Sequence, residues 1–205
     1  MITVKTFSPP PVCRQEIYRY AGCKETDPRT EALLDTCLKE LENKLTYKVC
    51  FCEAETLPAS QNLEKNLQGC EKVLLFAATI GISLDRLLAK YGLISPAKAL
   101  MMQAIGAERI EALCDAFCAW AAAEYGLSPR PRFSPGYGDL PLPAQTEIFS
   151  LLNPAKHIGL SLTDSLLMTP SKSVTAFVGL AAEESEKPDK CRLCTMKNCQ
   201  FRSTP

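Results

Sequence analysis

The chain has 205 residues, enough for one sizeable domain that buries its own core. Lysine plus arginine and aspartate plus glutamate number 23 each, so the formal net charge is zero and no basic field attracts nucleic acid or anionic lipid. The composition, 46% hydrophobic and 22% charged, is typical of a globular protein and argues against extensive disorder.

The apolar runs are short. The longest, residues 73–79 and 116–123, fall well below the roughly 18 to 20 residues that span a bilayer. The N-terminal residues lack the charged start, apolar middle and small-residue cleavage site of a secretory signal. We therefore expect a cytoplasmic protein without a membrane or nucleic-acid partner, in which most of the 11 cysteines are reduced thiols.

Helices and strands are interleaved in the first 80 residues. A predicted helix over residues 14–20 ends near Gly22, and Asp27 followed by Pro28 is typical of an N-cap that opens a second helix running to about Leu45. Residues 46–54 predict a strand and residues 62–67 a helical stretch. The run KVLLFAATI, residues 72–80, is continuous and apolar, which is typical of a central strand buried on both faces.

The second half begins with a short predicted helix over residues 83–90. Ser95 and Pro96 then open a long helix to about Tyr125, in which Gly106 permits a bend or close packing. Its predicted apolar face comprises Ala104, Ile110, Leu113, Phe117 and Ala121.

A proline-rich segment, residues 127–143, cannot continue the long helix. A helix over residues 144–152 follows. Two strands, residues 166–168 and 174–180, then predict a hairpin. This order of elements predicts an α+β domain over residues 1–182, in which a mainly antiparallel sheet is flanked by helices, followed by a linker and cysteine-rich tail over residues 183–205.

The loop sequence RFSPGYGD, residues 132–139, is the most informative segment for function. Arg132 can make a paired, charge-assisted contact to a carboxylate, and Gly136 and Gly138 allow a close backbone approach or a positive φ. With the phenol of Tyr137 on a proline-stiffened backbone, the set suits a small polar ligand. By chemistry alone such loops are more often structural, so both interpretations stay open.

A series of motifs from this loop onward resembles the C-terminal activation module of cobalamin-dependent methionine synthase. In order along the chain the motifs are Arg132, Pro135-Gly136-Tyr137, Gly159-Leu160-Ser161-Leu162-Thr163-Asp164-Ser165 and Met168-Thr169-Pro170-Ser171-Lys172-Ser173-Val174. Upstream, residues 69–81 and 103–106, like the three-cysteine tail, resemble the small stand-alone relatives of that module. The chain is therefore identified as similar to a stand-alone activation domain.

The resemblance implies the activation-domain fold and an extended groove for S-adenosylmethionine. Arg132 matches the arginine that takes the ligand carboxylate, and either Glu111 or Asp115, one turn later on the same helix face, matches the acid that takes its amino group. Tyr137 matches a tyrosine near the meeting point of ligand and corrinoid. The predicted ligand-binding residues are Arg132, Pro135, Gly136, Tyr137, Gly138, Glu111 and Asp115.

The chain departs from the family pattern at three places. Gly138-Asp139 stands where the family continues with proline, and the tyrosine beyond the last strand is absent. An acid that the large enzyme offers from its N-terminal part has no clear counterpart near Tyr20. We expect these departures to affect the affinity and pose of the ligand more than its identity.

The implied function is that of an accessory subunit for reductive methylation, the reactivation of a corrinoid cofactor. A flavodoxin or ferredoxin type donor would reduce Co(II) by one electron, and the sulfonium methyl group would pass to Co(I). Because the sulfonium is already activated, the protein needs no general base or nucleophile and contributes positioning.

The cobalt has to come from another polypeptide, because the chain lacks a corrinoid-binding Asp-x-His-x-x-Gly motif. The implied partner is a cobalamin-carrying methionine synthase or another corrinoid methyltransferase. The alternative function is a non-catalytic module that senses S-adenosylmethionine or binds the corrinoid protein.

Two further sets of residues bear on function. His157, the single histidine, is at a helix end where such residues are more often structural, and residues 163–165 are expected to brace the hairpin. Cys191, Cys194 and Cys199 have the spacing to hold zinc or an iron-sulfur cluster with a fourth ligand from elsewhere. Free thiols in a polar tail are the other interpretation.

Overall fold

The computed structural model describes residues 1–23 and 27–182. Its strands are β1 Thr3–Thr6, β2 Lys48–Glu53, β3 Lys72–Thr79, β4 Ser128–Pro129, β5 Ser161–Leu162, β6 Met168–Thr169 and β7 Ser173–Ala181. Its helices are α1 Arg14–Ala21, α2 Pro28–Leu41, α3 Gln61–Leu67, α4 Ser83–Ile94, α5 Pro96–Tyr125, α6 Ala144–Leu152 and α7 Pro154–Ile158.

Five strands form one antiparallel sheet in the order β1-β2-β3-β7-β4, and β5 pairs with β6 in a separate two-stranded ribbon. β3 lies in the middle, where residues 74–79 are all buried. Alternate residues of β3 enter different cores, because successive side chains of a strand point to opposite faces. The predictions of a central strand buried on both faces and of an antiparallel α+β fold are confirmed.

One face of the sheet packs against the long helix α5 and its neighbours α1, α2 and α4. Phe76 of β3 meets Phe117 of α5 there, with ring centroids 4.7 Å apart. The opposite face packs against α3, α6 and α7, with Leu75 and Ala77 facing that side. The predicted apolar face of α5 is buried as expected.

Gly106 serves close packing within an uninterrupted helix. A Cβ at this position would lie 2.3 Å from Leu84 Cδ2 and 3.0 Å from two side-chain carbons of Lys172. Only a glycine lets α4 and the segment before β7 approach α5 so closely.

The element boundaries differ from prediction in several places. α2 ends at Leu41, four residues early, and the chain then turns through Asn43, whose φ is 59°. α4 extends to Ile94. Four short elements, β1, β4, β5 and α7, were not predicted, and each is only two to five residues long.

The predicted hairpin between residues 166–168 and 174–180 is wrong. β6 pairs with β5, and β7 pairs along its whole length with β3, from Thr79 opposite Ser173 to Lys72 opposite Leu180. A buried nine-residue strand needs a partner of similar length to satisfy its backbone groups, which three residues cannot provide. Thr163 braces the β5–β6 turn instead, since its Oγ1 accepts a hydrogen bond from the Leu167 amide at 3.0 Å.

Within residues 1–23 and 27–182, no helix combines the length and hydrophobicity required to cross a bilayer.

Candidate functional site

The proline-rich segment runs along the edge of β7 after α5 has ended at Gly126. β4 pairs with the end of β7, and an isolated bridge joins Phe133 to Phe177. Residues 130–132 lie between these two attachment points, which hold the backbone of Arg132 beside α5.

The Arg132 guanidinium binds two carboxylates of α5. One terminal nitrogen donates to Glu111 Oε2 at 2.6 Å, and the other donates to Asp115 Oδ1. The arginine side chain is only 13% exposed, whereas Glu111 is 45% and Asp115 71% exposed. Both acids weighed from the sequence therefore meet the predicted arginine, because a spacing of four residues places them on one face of the helix.

Two thiols lie beneath this cluster. Burial raises the pKa of Cys114 far above its ordinary range, so that thiol is neutral at physiological pH. Cys118 Sγ lies 4.0 Å from an Arg132 nitrogen. The two carboxylates of Glu111 and Asp115 outnumber the single guanidinium, so the cluster has a formal net charge of −1.

A cavity of about 520 Å³, which we call the acidic groove, borders Glu111 and Asp115. It is also lined by Glu16 and Tyr20 of α1 and by Glu108 of α5. Burial, reinforced by the charge of Glu111, raises the pKa of Tyr20. Glu16 was not predicted as a site residue, although its i,i+4 spacing from Tyr20 places both on one face of α1.

The segment from Phe133 to Leu140 forms a compact turn. Gly136 donates its N–H to the carbonyl of Leu140 at 2.8 Å, and the Leu140 amide donates to the carbonyl of Tyr137 at 3.1 Å. Gly136 has a φ of 90° and Gly138 a φ of 54°, values that favour glycine and confirm the expected positive φ. The Tyr137 side chain is 65% exposed.

A second cavity, about 650 Å³ and here called the apolar groove, lies between this turn and the ribbon β5–β6 with the start of β7. Pro135 and Tyr137 line it, together with Ser134, Leu142 and Met168. Of the predicted residues, Glu111 and Asp115 line the acidic groove, and Pro135 and Tyr137 line the apolar groove. The two grooves share no lining residue, and Arg132 lies between these two pairs in the sequence. Gly136 and Gly138 line neither groove and act through the shape of the turn.

The remaining sequence-predicted residues lie elsewhere. His157 is in the last turn of α7 and lines neither groove. Cys191, Cys194 and Cys199 lie outside the described residues, so their metal site stays a prediction. Among the side chains that the structure does describe, no group of three or more potential ligands is arranged to hold a metal ion.

Comparisons with known proteins agree with this architecture. Residues 129–188 match the family model described as vitamin B12 dependent methionine synthase, activation domain. No curated protein sequence matches the chain. A crystal structure of the MetH reactivation domain bound to AdoHcy superposes with a TM-score of 0.63 and 14% identity, covering 90% of this chain and 80% of that one. At that identity the likeness shows the fold. Residues 129–188 are therefore similar in sequence to the activation domain of vitamin B12 dependent methionine synthase, and most of the chain shares the fold of the MetH reactivation domain.

Proposed function

We propose that this chain binds S-adenosylmethionine and presents its methyl group for the reductive methylation of a cobalamin or other corrinoid cofactor carried by a partner protein. The observation that carries the proposal is the pairing of Arg132 with Glu111 and Asp115, two acids that line the acidic groove. Arg132 also lies inside the segment that matches the activation-domain family. The similar solved domain is titled as bound to AdoHcy, the product that remains when S-adenosylmethionine loses its methyl group.

The charged cluster suits the amino-acid end of the ligand. An α-amino acid carries a carboxylate and an ammonium group side by side, and Arg132 with its two acids offers the complementary pair. On insertion, the ligand carboxylate takes the guanidinium fork while the ammonium group takes the carboxylates of Glu111 and Asp115. The guanidinium keeps a carboxylate partner throughout, which matters because it is nearly buried.

The nucleoside end has a place in the apolar groove. Ser134, in its wall, follows Arg132 by two residues, about 7 Å of extended chain. We propose that a ligand held at Arg132 extends toward Pro135 and Tyr137, and the volume of about 650 Å³ is typical of small-molecule sites. When bound, S-adenosylmethionine supplies a methyl group activated by its sulfonium charge. The chain contributes orientation, with the exposed Tyr137 at the rim where a partner would approach.

The proposed partner is a corrinoid-binding methionine synthase or another corrinoid methyltransferase, with a flavodoxin or ferredoxin type electron donor, in the cytoplasm. This proposal is supported by the similarity of residues 129–188 to an activation domain and by the lack of an Asp-x-His-x-x-Gly motif in these 205 residues.

Calorimetry with S-adenosylmethionine tests the ligand site. We expect Arg132→Ala to weaken binding by about 10- to 100-fold, the equivalent of about 1.5–3 kcal/mol for a hydrogen bond to a charged group. Arg132→Lys keeps the charge without the planar fork, so its affinity should lie between the two. Arg14→Ala is the matched control, because Arg14 pairs with Asp35 in an exposed ion pair. Wild-type protein that is folded yet gives no heat at millimolar ligand rules out the proposal.

A second measurement separates catalysis from sensing. The chain is mixed with the Co(II) form of a corrinoid partner, a reductant and S-adenosylmethionine, and methylation of the cobalt is followed by absorbance. Transfer that depends on Arg132 supports an accessory subunit. Binding without transfer identifies the non-catalytic sensor that the sequence also permits.

We further propose that residues 183–205 are a linker and tail separate from the domain of residues 1–182, and that Cys191, Cys194 and Cys199 bind zinc or an iron-sulfur cluster. Three thiols at C-x₂-C-x₄-C spacing support this ligand set. Metal analysis of anaerobically purified protein should give about one zinc, or about two to four irons, per chain, and the metal should be lost in Cys194→Ser. A value near zero in the wild type rejects the site.

A further inference from the structure

Asp139 fastens the proline-glycine loop to the start of α3. Its carboxylate accepts hydrogen bonds from the Gln61 amide at 2.8 Å, the Asn62 amide at 3.2 Å and the Ser60 hydroxyl. The first backbone amides of a helix have no acceptor within the helix. Here Asp139, 77 or more residues further along the chain, supplies the acceptor oxygens. Hydrogen bonding, from Ser60 first and from the two amides, lowers the pKa of Asp139.

The contact is closely fitted on both sides. Ser60 is buried, and while its hydroxyl donates to Asp139 it also accepts from the Leu63 amide at 3.0 Å. Next to Asp139, a Cβ on Gly138 would lie 2.9 Å from Asn62 Nδ2 and 3.2 Å from Asn62 Cβ. The backbone of the loop therefore rests directly on the first turn of α3, and α3 is anchored in the core through Leu63 and Leu67.

Tyr137 lies two residues before this contact. The Phe133–Phe177 bridge holds the chain before it, and Asp139 holds the chain after it. The turn between the two attachment points is closed by the hydrogen bond from Leu140 to the carbonyl of Tyr137. An exposed tyrosine at the rim of the apolar groove is thus carried on a backbone fixed at both ends.

We propose that Asp139 is a positioning residue, which sets the orientation of Tyr137 at the rim of the apolar groove by fastening the loop to α3. The effect of Asp139 on methyl transfer rests on the proposed function, whereas its effect on the orientation of Tyr137 does not.

Fluorine NMR tests the orientation without any activity. The protein has six tyrosines, and labelling with 3-fluorotyrosine followed by Tyr137→Phe assigns the Tyr137 signal. We expect Asp139→Ala to move that signal toward the random-coil position, and Asp139→Asn, which keeps one acceptor oxygen, to move it less. Asp27→Ala is the matched control, because Asp27 likewise accepts from a helix amide, Thr30, but at α2. An unchanged Tyr137 signal in folded Asp139→Ala overturns the proposal.

Activity supplies the second readout. At saturating S-adenosylmethionine, we expect Asp139→Ala to slow corrinoid methylation by about 10-fold, within the range that misplaced groups cause. Its dissociation constant for S-adenosylmethionine should rise less than that of Arg132→Ala, because the Arg132 cluster is untouched. In a Tyr137→Phe background the same substitution should slow methylation less, and an equal slowdown in both backgrounds contradicts action through Tyr137. If the wild type methylates nothing, the proposed function fails while the fluorine result still decides the role of Asp139.

Discussion

Gly106 lies in the middle of α5, where glycine ordinarily weakens a helix by up to about 1 kcal/mol relative to alanine. The local packing reverses that expectation. A methyl group there would lie 2.3 Å from Leu84 Cδ2, and both Leu84 and the neighbouring Lys172 stem are held between α5 and other elements. Overpacking of a fitted core costs about 1–3 kcal/mol, more than the helix gains from alanine.

We therefore expect Gly106→Ala to lower the free energy of unfolding by about 1 kcal/mol. Gly92, in α4, is the control, because a Cβ there has nothing within 4 Å. Gly92→Ala should stabilise by about 0.5–1 kcal/mol. Urea unfolding of both variants measures the difference, and a Gly106→Ala protein more stable than the wild type contradicts the packing argument.

The sequence predicts individual site residues where their chemistry is local. Arg132 stands out by its geometry, and Gly136 and Gly138 by their freedom of φ. The structure gives both glycines a positive φ and pairs Arg132 with Glu111 and Asp115, an ion pair that was not predicted. Glu16 and Asp139 were not predicted. Their roles depend on which helix lies opposite, and for Asp139 the partner is 77 to 79 residues away.

At the scale of elements, the N-terminal segment is tied to α5 by a buried ion pair. Arg109 donates to the carbonyl oxygens of Pro10 and Pro11 at 2.5 and 2.6 Å, and Glu108 accepts from the Cys13 amide at 2.9 Å. The two side chains also bind each other and are 3% and 4% exposed. These contacts of Arg109 and Glu108, which we call the clamp, place α1, and with it Glu16, against the acidic groove.

Removing one member of the clamp should be costly. Arg109→Leu leaves the Glu108 carboxylate buried without its partner, which costs about 3–5 kcal/mol in comparable pairs. Arg14→Ala breaks an ion pair whose members are 49% and 59% exposed, so its expected cost is about 0–1 kcal/mol. Thermal unfolding compares them, and similar losses in the two variants would show that burial does not decide the value of the Arg109 pair.

Element types could be predicted better than element pairings. The apolar run of β3 and the N-caps of α2 and α3 are encoded within a few residues, and they form as local chemistry requires. The pairing of β7 is not local, because its partner β3 lies about a hundred residues earlier and the competing hairpin had the shorter loop. Burial of a nine-residue strand outweighed that advantage.

At the scale of the whole molecule, both cores contain thiols. Cys37 and Cys114 belong to the core on the α5 side, and Cys50 belongs to the opposite core. Burial raises the pKa of Cys37 and of Cys50 to about 11 in each case. In the unfolded chain these thiols titrate near their ordinary value of about 8.5. The folded state therefore keeps protons that the unfolded state releases.

The sign of the resulting pH dependence follows. Below about pH 8.5 both states hold the protons and the stability is full. Between about 9 and 11 only the unfolded state ionises, so stability falls by about 1.4 kcal/mol per pH unit for each buried thiol. Lys172 opposes this trend, because burial lowers its pKa and the unfolded lysine then binds more protons than the folded one.

Comparing wild type with Cys50→Ala isolates one thiol from these other groups. Urea unfolding under reductant at pH 7.5 and pH 10 should show a loss in the wild type that exceeds the loss in Cys50→Ala by about 1–2 kcal/mol. The cavity left by the substitution lowers stability at both pH values and cancels in the comparison. Equal losses in the two proteins would mean that Cys50 ionises as readily in the folded core as in water, which a fully buried thiol of β2 should not do.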